Sequence, residues 1–505
     1  MHILRSTLIV SVTTLISRIL GYVRDAITAA YMGTGIMNDA FIAAFKFTNL
    51  FRTLFGEGAF NAAFVPIFSS TLQTRGIKYA KIMASHLQSI LLISLLIFSL
   101  IVIVGMPYLI TVTTPGFIKD SDVFYLAVEL GRITFPYLML ISLAAFYGGI
   151  LNSRRIFMPY AATPIILNAV VIILLLCLQD IAETKAHALS YSVLAAGVLE
   201  FLWVFYFAAK NNMLIPLRKP RLSKYVKIMI KRMLPGIVGS GVAQINIWID
   251  MIIVSFVPSG MSYLYFADRI MQLPLALIGT ALGTVLLPAI ATRANIGAVV
   301  EIGVIQNKSV KFSLFLAIPA TVGLCMLSVD IIQVLFARGC FQVESVLGTS
   351  SALSALSLGL PAFILLKLVN TTFYAYGDTK IPVKISICAL LTNVILSLSL
   401  VWKFKHVGVA LSAVISAWIG LCIGVVFLSK KYKLHLKYDT VKSTGKSIIA
   451  TACMGEFIYY VKHYVSYYNS KSIASLLCII LSSIMLYFCI NLALHTRIRL
   501  KKSKQ

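Results

Sequence analysis

Residues 84–104 read ASHLQSILLISLLIFSLIVIV and contain no Asp, Glu, Lys or Arg. An α-helix needs about 20 mostly apolar residues to cross the hydrocarbon core of a bilayer, and this stretch supplies them. The same test finds fourteen candidate membrane spans along the chain. They begin near residues 6, 37, 84, 123, 159, 186, 233, 261, 309, 346, 381, 407, 447 and 473. The sequence therefore predicts an all-α polytopic membrane protein.

The composition agrees with this prediction. The 505 residues are 59% hydrophobic and 12% charged, whereas soluble domains carry roughly 25% charged residues. This excludes an ordinary soluble enzyme. The net charge of +27 lies in short basic bursts between apolar runs, which is typical of membrane topology signals rather than of nucleic-acid binding. The eight cysteines stand singly, with no His at ligand spacing, which argues against a disulfide framework or a zinc site.

The basic residues also predict an orientation. If the spans alternate in direction, 30 of the 44 Lys and Arg fall on one side of the membrane, seven fall on the other and seven lie within spans. Cytoplasmic loops of membrane proteins carry the excess of Lys and Arg. We therefore expect both termini to be cytoplasmic.

An internal repeat divides the chain. Two prolines and one asparagine recur in the same order at offsets of 222 to 225 residues, namely Pro66 with Pro288, Pro136 with Pro361 and Asn168 with Asn393. The pattern indicates duplication of a six-helix unit. Because six is even, the two copies share one orientation, as in parallel transporter repeats.

The repeat predicts four regions of the chain. These are an N-lobe of six spans at 1–215, a basic cytoplasmic linker at 216–232, a C-lobe of six spans at 233–432, and two further spans with a basic tail at 433–505. The last two spans fall outside the repeat.

Charged residues inside the predicted spans are candidates for function, because a charge at the centre of a bilayer costs at least about 2.5 kcal/mol. Six cations and four anions form this set: Arg18, Arg24, Lys46, Arg52, Arg269 and Lys367, with Asp25, Asp39, Glu57 and Asp268. The excess of guanidinium groups favours an anionic ligand such as a phosphate, which a planar guanidinium binds through two hydrogen bonds. Mutual ion pairs that only hold helices together are the alternative.

Helical spacing assigns some of these charges to common faces. At about 100° per residue, Arg18 and Asp25 share one face, and Asp39, Lys46 and Glu57 share another. Arg24 and Arg52 fall off these faces. Three glycines, Gly21, Gly56 and Gly58, are candidate bends, and the last two are candidate gating residues. By contrast, Glu129 and Arg132 lie three residues apart near the start of the fourth span, which predicts a surface ion pair.

Catalytic motifs are absent from the sequence. The seven histidines are dispersed, and neither a P-loop nor a GxSxG motif occurs. We therefore expect no enzymatic activity and no organic cofactor. Energy for transport would come from an ion gradient, from the membrane potential or from the gradient of the substrate.

Four segments resemble a known family. Residues 17–69, SRILGYVRDAITAAYMGTGIMNDAFIAAFKFTNLFRTLFGEGAFNAAFVPIFS, and residues 265–290, YFADRIMQLPLALIGTALGTVLLPAI, are similar to the MurJ (MviN) lipid II flippases. VTTPGF at 112–117 and FYAYGDTKIPVKI at 373–385 fit as well. The resemblance covers essentially the whole chain. It places the chain in the multidrug/oligosaccharidyl-lipid/polysaccharide exporter superfamily.

The resemblance implies a two-lobed transporter that moves lipid II from the cytoplasmic to the periplasmic leaflet of the bacterial inner membrane by alternating access. It implies the undecaprenyl-pyrophosphate-linked muropeptide and membrane lipids as partners, and it raises other cell-wall synthesis proteins as a hypothesis. It implies no nucleic-acid partner. In the family, the two extra C-terminal spans help to form a groove for the polyprenyl tail.

The resemblance also assigns roles to single residues. The family arginines of spans 1, 2 and 8 match Arg18, Arg24, Arg52 and Arg269, and family lysines match Lys46 and Lys367; family acids match Asp25, Asp39 and Glu57. One departure is Gln272, where some relatives carry an acid.

A sodium site described in some relatives would correspond to Asp250 and Asn393. Ser397 and Ala413 replace two further ligands of that site here. Sodium or the membrane potential is therefore the coupling hypothesis, and a buried, hydrogen-bonded Asp250 is its alternative.

Three other functions compete with lipid II transport. A multidrug or organic-cation antiporter of the same superfamily would respond to organic cations. A flippase for another polyprenyl-linked oligosaccharide would differ in its headgroup. A membrane scaffold without transport would tolerate loss of the embedded charges.

Overall fold

In a computed structural model, the protein is described at residues 2–53, 59–178, 180–465, 468–469 and 472–502. The regular elements within these ranges are eighteen α-helices and one 3-10 helix. The chain forms two compact units, Met1–Met261 and Ser262–Gln505.

The first unit contains ten helices. They are α1 (His2–Met32), α2 (Ile36–Phe51), α3 (Ala59–Val104), α4 (Met106–Thr113), α5 (Ser121–Thr134), α6 (Tyr137–Ser153), α7 (Met158–Ala161), α8 (Thr163–Leu178), α9 (Lys185–Lys210) and α10 (Lys224–Val254). The 3-10 helix Pro115–Lys119 lies between α4 and α5.

The remaining eight helices follow. They are α11 (Gly260–Asn295), α12 (Val299–Met326), α13 (Ser328–Phe336), α14 (Val343–Ser357), α15 (Leu360–Ala375), α16 (Lys380–Tyr432), α17 (Tyr438–Tyr464) and α18 (Ile473–Lys502). Apart from the first two residues of α11, they belong to the second unit.

All fourteen predicted spans begin inside these helices, so the all-α polytopic fold is confirmed. Seven helical stretches of the described residues are long and apolar enough to cross a membrane, when α5 with α6 and α7 with α8 are each counted as one stretch. The number is eight if the bent pair α14 and α15 is also one span. Two of the long helices contain a sharp break. Gly76 (φ 78°) divides α3, and Lys405 (φ 52°) divides α16. These breaks separate the predicted spans 2 and 3, and 11 and 12.

One proline pair of the sequence repeat marks helix junctions, whereas Pro66 and Pro288 lie inside α3 and α11. Pro136 lies between α5 and α6, and Pro361 lies in the first turn of α15, where α14 and α15 meet at a 44° bend. Proline lacks the N–H that a continuous helix requires, which explains both breaks. The two six-span segments therefore share an interruption at the same place.

The helix α10 packs within the first unit, although the repeat assigns it to the start of the second lobe. Its Trp248 ring stacks on Phe47 of α2, with the ring centroids 5.8 Å apart. The Gly116 N–H donates to Ser255 Oγ at 3.0 Å, just beyond the end of α10. A Cβ at Gly116 would lie 2.2 Å from the Ser255 carbonyl oxygen, so this close approach requires glycine.

The basic segment before α10 is attached to α3. Lys81 Nζ donates to the Asn212 carbonyl at 2.7 Å, and Ser89 Oγ donates to the Arg218 carbonyl at 2.5 Å. The segment thus runs along the second half of α3 before α10 begins.

Candidate functional site

The first predicted cation cluster lies on α1. Arg24 donates to Oδ1 of Asp25 through Nε at 3.1 Å and Nη2 at 2.7 Å. Asp25 is 5% exposed, and Arg24 is largely buried. The pair was not expected from helical spacing, which put the two residues on different faces. The arginine side chain is long enough to contact the adjacent Asp25, and the two hydrogen bonds fix the orientation of the guanidinium. Arg18, one and a half turns earlier, is exposed.

Gly21 is not a bend, since α1 continues as one helix from His2 to Met32. Instead it lies against Asn168 of α8, whose Nδ2 donates to the Ser17 carbonyl at 3.0 Å. A Cβ at Gly21 would lie 3.4 Å from Asn168 Nδ2. The asparagine found through the repeat therefore holds α8 on the segment of α1 that carries the arginines.

The second cluster lies on and after α2. Asp39 is 4% exposed in the first turn of α2, where the helix dipole favours a negative charge. Lys46 lies seven residues later on the same helix and so on the same face as Asp39, and its side chain is exposed. Arg52 Nε donates to Asn49 Oδ1 at 2.8 Å. The predicted Gly56, Glu57 and Gly58 lie outside the described residues.

In the second unit, Asp268 and Arg269 lie on α11 and each has a partner one turn away. Arg269 Nη2 donates to the Tyr265 hydroxyl at 3.0 Å, and its guanidinium carbon lies 4.8 Å from the centre of that ring. Gln272 Nε2 donates to Asp268 Oδ2. The amide that replaces an acid of some relatives thus binds the neighbouring carboxylate. Tyr265 was missed by sequence reasoning, although the i−4 spacing could have identified it.

Lys367 extends from α15 toward a different level of α11. A Cβ at Gly279 would lie 3.5 Å from Lys367 Cδ and 3.9 Å from Nζ. Gly279 lies ten residues after Arg269, which corresponds to about 15 Å along a helix. Lys367 and Arg269 therefore lie at different levels along α11 and cannot both bind one phosphate group.

Asn393 of the predicted sodium site lies on α16, one turn before Ser397, which stands where some relatives carry a further ligand. Asn393 and Ser397 are both fully buried. Ser397 Oγ has no hydrogen-bond partner among the described residues, which is unusual for a buried hydroxyl. Such an oxygen fits a hard cation, so the residues present are compatible with sodium. Asp250 lies on α10 of the first unit and has a polar partner.

The predicted surface pair of Glu129 and Arg132 is wrong. Arg132 Nε donates to the Ile103 carbonyl at 3.2 Å. Glu129 Oε2 instead lies 3.4 Å from His187 Nε2. The carbonyl near the end of α3 is available because α3 ends at Val104, and helix ends leave such acceptors without an intrahelical donor.

An apolar cavity of about 360 Å³ opens between α11, α12, α17 and α18. Residues from all four helices line it, including Pro274, Gly323, Met454, Ser483 and Ile484. Nothing lies within 4 Å of the position that a Cβ at Gly323 would occupy. The lining is almost wholly hydrocarbon, and the buried Ser483 Oγ within it has no hydrogen-bond partner among the described residues.

The helix α17 forms one wall of this cavity, which we call the apolar groove. Hydrogen bonds and an ion pair attach α17 to other helices near both of its ends. At its start, the Asn307 side chain of α12 donates to the His435 carbonyl at 2.9 Å and accepts from the Thr440 hydroxyl at 2.8 Å. At its end, Lys462 Nζ lies 2.6 Å from Asp330 Oδ2 of α13, and the Tyr468 hydroxyl donates to Asp330 Oδ1 at 2.8 Å.

Long apolar helices in two units, with oriented arginines and a hydrocarbon groove, define a polytopic α-helical membrane protein of the transporter class. The family model described as "Lipid II flippase MurJ" matches residues 28–479. The chain therefore belongs to the lipid II flippase MurJ family.

Curated relatives agree with this assignment. A probable lipid II flippase MurJ of Rhizobium tropici is 39% identical over 92% of this chain and 88% of its own length. The relative of the same name from Rickettsia prowazekii (strain Madrid E) is 36% identical over 92% of this chain and 91% of its own length.

Solved structures show the same fold. "Lipid II flippase MurJ, inward closed conformation" has a TM-score of 0.82 and 27% identity, and the match covers 97% of this chain and 99% of that one. An inward-facing transporter of the MATE family has a TM-score of 0.66 at 15% identity, covering 84% of this chain and 98% of that one, and shows the fold alone.

Proposed function

We propose that this protein flips lipid II from the cytoplasmic to the periplasmic leaflet of the bacterial inner membrane. Family membership carries the proposal, because the relative from Rhizobium tropici is named for this activity at 39% identity. The proposal includes the orientation predicted from the basic residues, with both termini in the cytoplasm. Interaction with other cell-wall synthesis proteins stays a prediction.

The chemistry of the substrate explains why a protein is needed. Lipid II carries an anionic pyrophosphate between a large polar head and a long apolar tail. Moving a charge through hydrocarbon without compensating partners costs many kcal/mol. We propose that Arg18, Arg24, Arg52 and Arg269 replace the lost hydration. Lys46 and Lys367 add positive charge at other levels, and Asp39 and Asp268 balance it.

Arg24 and Arg269 are the best supported members of this set. Asp25 orients Arg24 through two hydrogen bonds, and Tyr265 orients Arg269 through one hydrogen bond and its ring face. A guanidinium held in place loses less conformational entropy when a ligand binds, so more of its interaction contributes to affinity. Each arginine is thus prepared for a phosphate before the substrate arrives.

The apolar cavity beside α17 and α18 suits the polyprenyl tail. Its lining offers almost no hydrogen-bonding group, so it would exclude the polar head and accept hydrocarbon. We propose that the tail stays in this groove while the head crosses. Rocking of the lobes would then change the side to which the head is exposed.

Coupling to sodium is part of the proposal. Asp250 and Asn393 stay the predicted ligands, and Ser397 stands where some relatives carry a further ligand. Bound sodium would supply positive charge that biases one conformation. Replacing sodium by potassium in a transport assay is expected to slow flipping, and Asn393→Ala is expected to remove that difference. Equal rates in both salts would favour the membrane potential instead.

The test of the proposed function is complementation. In cells depleted of their own flippase, the wild-type chain is expected to restore growth and to move lipid II to the outer leaflet. Arg24→Ala and Arg269→Ala are expected to abolish both effects while protein levels stay normal. Arg293→Ala is the matched control, because Arg293 forms an exposed ion pair with Glu301 at 2.8 Å. Full growth with both site variants would refute the assigned roles.

A further inference from the structure

A cluster of three potential metal ligands lies in the first unit and consists of residues that are not assigned to lipid II. His187, in the first turn of α9, is 4% exposed. Its Nε2 lies 3.4 Å from Glu129 Oε2 and 3.8 Å from Glu183 Oε2. One ligand atom from each residue lies within 4.8 Å of the other two.

The spacing of these atoms fits a metal better than a hydrogen-bonded ion pair. Charge-assisted hydrogen bonds bring the two heavy atoms to about 2.7–2.9 Å. Zinc bonds of about 2.0–2.2 Å to nitrogen and oxygen place two tetrahedral ligands roughly 3.3–3.5 Å apart. The 3.4 Å separation of His187 and Glu129 therefore matches an edge of a tetrahedron. Glu183 lies 3.8 Å from the imidazole and within 4.8 Å of the Glu129 ligand atom, so its side chain, which is 82% exposed, would move closer to both on metal binding.

The imidazole is held so that Nε2 faces the carboxylates. Thr184 Oγ1 lies 2.9 Å from His187 Nδ1, and the same oxygen accepts the His187 backbone N–H at 3.3 Å. Hydrogen bonding of the second ring nitrogen is the usual device that fixes the tautomer of a metal-binding histidine. The N-cap of α9 thus also orients the ring.

Glu129 is not neutralised by the arginine nearest to it in sequence. Arg132 donates to the Ile103 carbonyl instead, which leaves the two glutamates to set the charge around the imidazole. Glu129 and Glu183 are both exposed, so the described parts of the chain do not cover their carboxylates. Two carboxylates beside the imidazole form a site with negative charge, which attracts a divalent cation.

We propose that Glu129, Glu183 and His187 bind a divalent transition-metal ion, with Zn²⁺ as the best match. An imidazole ligand selects such ions over Mg²⁺ and Ca²⁺, which prefer oxygen alone. Water would complete the coordination, as in other zinc sites with three protein ligands. The ion would connect the third turn of α5 to the start of α9. The scattered cysteines argue only against thiolate sites. Glu183 and His187 lie four residues apart, but Glu129 is far from both in the sequence, so the three ligands leave no complete spacing signature.

Direct metal binding tests the proposal without reference to transport. The purified full-length chain, stripped of metal with a chelator, is titrated with Zn²⁺ in competition with a zinc-sensitive dye. We expect one Zn²⁺ per chain with micromolar affinity. Co²⁺ in the same site is expected to give the intense visible absorption of tetrahedral coordination.

Glu129→Gln and Glu183→Gln are the decisive variants, because both side chains are exposed and their loss leaves the core intact. Each is expected to weaken Zn²⁺ binding by at least about tenfold. His187→Gln should abolish binding, and thermal unfolding checks that this variant is folded. His463→Gln, a change at an exposed histidine of α17, is the control and should bind normally. Wild-type affinity in both glutamate variants, or less than one Zn²⁺ per chain at saturation, would overturn the proposal.

Discussion

The side-chain amide of Asn168 donates a hydrogen bond of 3.0 Å to the backbone carbonyl of Ser17, directly beside Gly21. This contact joins α8 to the part of α1 that carries Arg18 and Arg24. The glycine therefore provides room for a neighbouring helix and does not bend its own.

Substitution of Gly21 separates packing from flexibility. In Gly21→Ala, the new Cβ would lie at an ordinary contact distance of 3.4 Å from Asn168 Nδ2. We expect full complementation and a gain of about 0.5–1 kcal/mol in stability, because alanine restricts the unfolded chain. Gly21→Leu should displace Asn168 and lower both activity and melting temperature. If cells with Gly21→Ala fail to grow at a normal protein level, Gly21 is required as a hinge and the packing explanation is wrong.

Tyr265 is expected to act as a positioning residue for Arg269. Tyr265→Phe keeps the ring under the guanidinium but removes the hydroxyl that accepts its hydrogen bond. We expect lipid II affinity to fall about fivefold, which corresponds to a hydrogen bond worth about 1 kcal/mol. Tyr265→Ala should cost more, since the cation–π contact is lost as well. Binding of lipid II to purified protein measures both, with Tyr263→Phe as the control. Equal binding by wild type and Tyr265→Ala would exclude this role.

Filling the apolar groove should block transport without unfolding the protein. Gly323→Phe places a ring in the space beyond Gly323, where a Cβ meets nothing within 4 Å. We expect loss of complementation with a normal melting temperature, whereas Gly323→Ala should function normally. If the phenylalanine variant supports growth, the tail does not need this groove.

The attachment of α17 to α13 is expected to be a major source of stability in the second unit. Lys462→Met leaves Asp330, which is 2% exposed, without its cation and should cost about 3–5 kcal/mol. Burial and the hydrogen bond to Asp330 raise the pKa of Tyr468, so its phenol remains a donor. Tyr468→Phe should cost about 1 kcal/mol. Denaturant unfolding of the purified protein measures these changes.

A double variant provides the matching control for this attachment. Asp330→Leu combined with Lys462→Met removes both charges and should recover most of the loss, because no buried charge remains. A double variant as unstable as Lys462→Met alone would contradict this explanation.

Stability should also depend on pH through Asp378, in the turn between α15 and α16. Burial favours its neutral form, but hydrogen bonds from Lys431, the Ile381 N–H and Tyr432 outweigh this and hold its pKa below the usual 3.8. The unfolded chain therefore takes up the proton first as the pH falls. The stabilisation is complete above about pH 3.8 and is lost as the pH falls through the lower pKa of the folded state.

Asp378→Asn tests this dependence. The amide keeps an acceptor for the backbone N–H groups of Lys380 and Ile381 but loses the charge. We expect a smaller difference between the unfolding midpoints at about pH 6 and about pH 3 than in the wild type. Asp378→Ala should in addition lower stability at neutral pH by about 1–2 kcal/mol. If the difference between the two unfolding midpoints is the same in Asp378→Asn as in the wild type, Asp378 does not cause the pH dependence of stability.

The helices could be predicted well from the sequence because a long apolar stretch indicates a membrane-spanning helix without knowledge of its tertiary contacts. It missed α4 and α13, since helices of eight and nine residues are shorter than any membrane-spanning window. Angular spacing failed for Arg24, because it places Cβ atoms and ignores the reach of a long side chain. The prediction of a bend at Gly21 failed because a glycine that bends a helix and a glycine that makes room for a neighbouring helix cannot be distinguished in the sequence.

The attachments of α17 also constrain how the chain is made. Asp330 and its partner Lys462 are separated by 132 residues. At about 5–20 residues per second, a ribosome needs on the order of ten seconds to supply the lysine after the aspartate. During that time the nascent second unit holds a carboxylate that its finished form buries. Translocation machinery or membrane chaperones would have to shelter this segment, and a truncated chain would display it permanently to proteases.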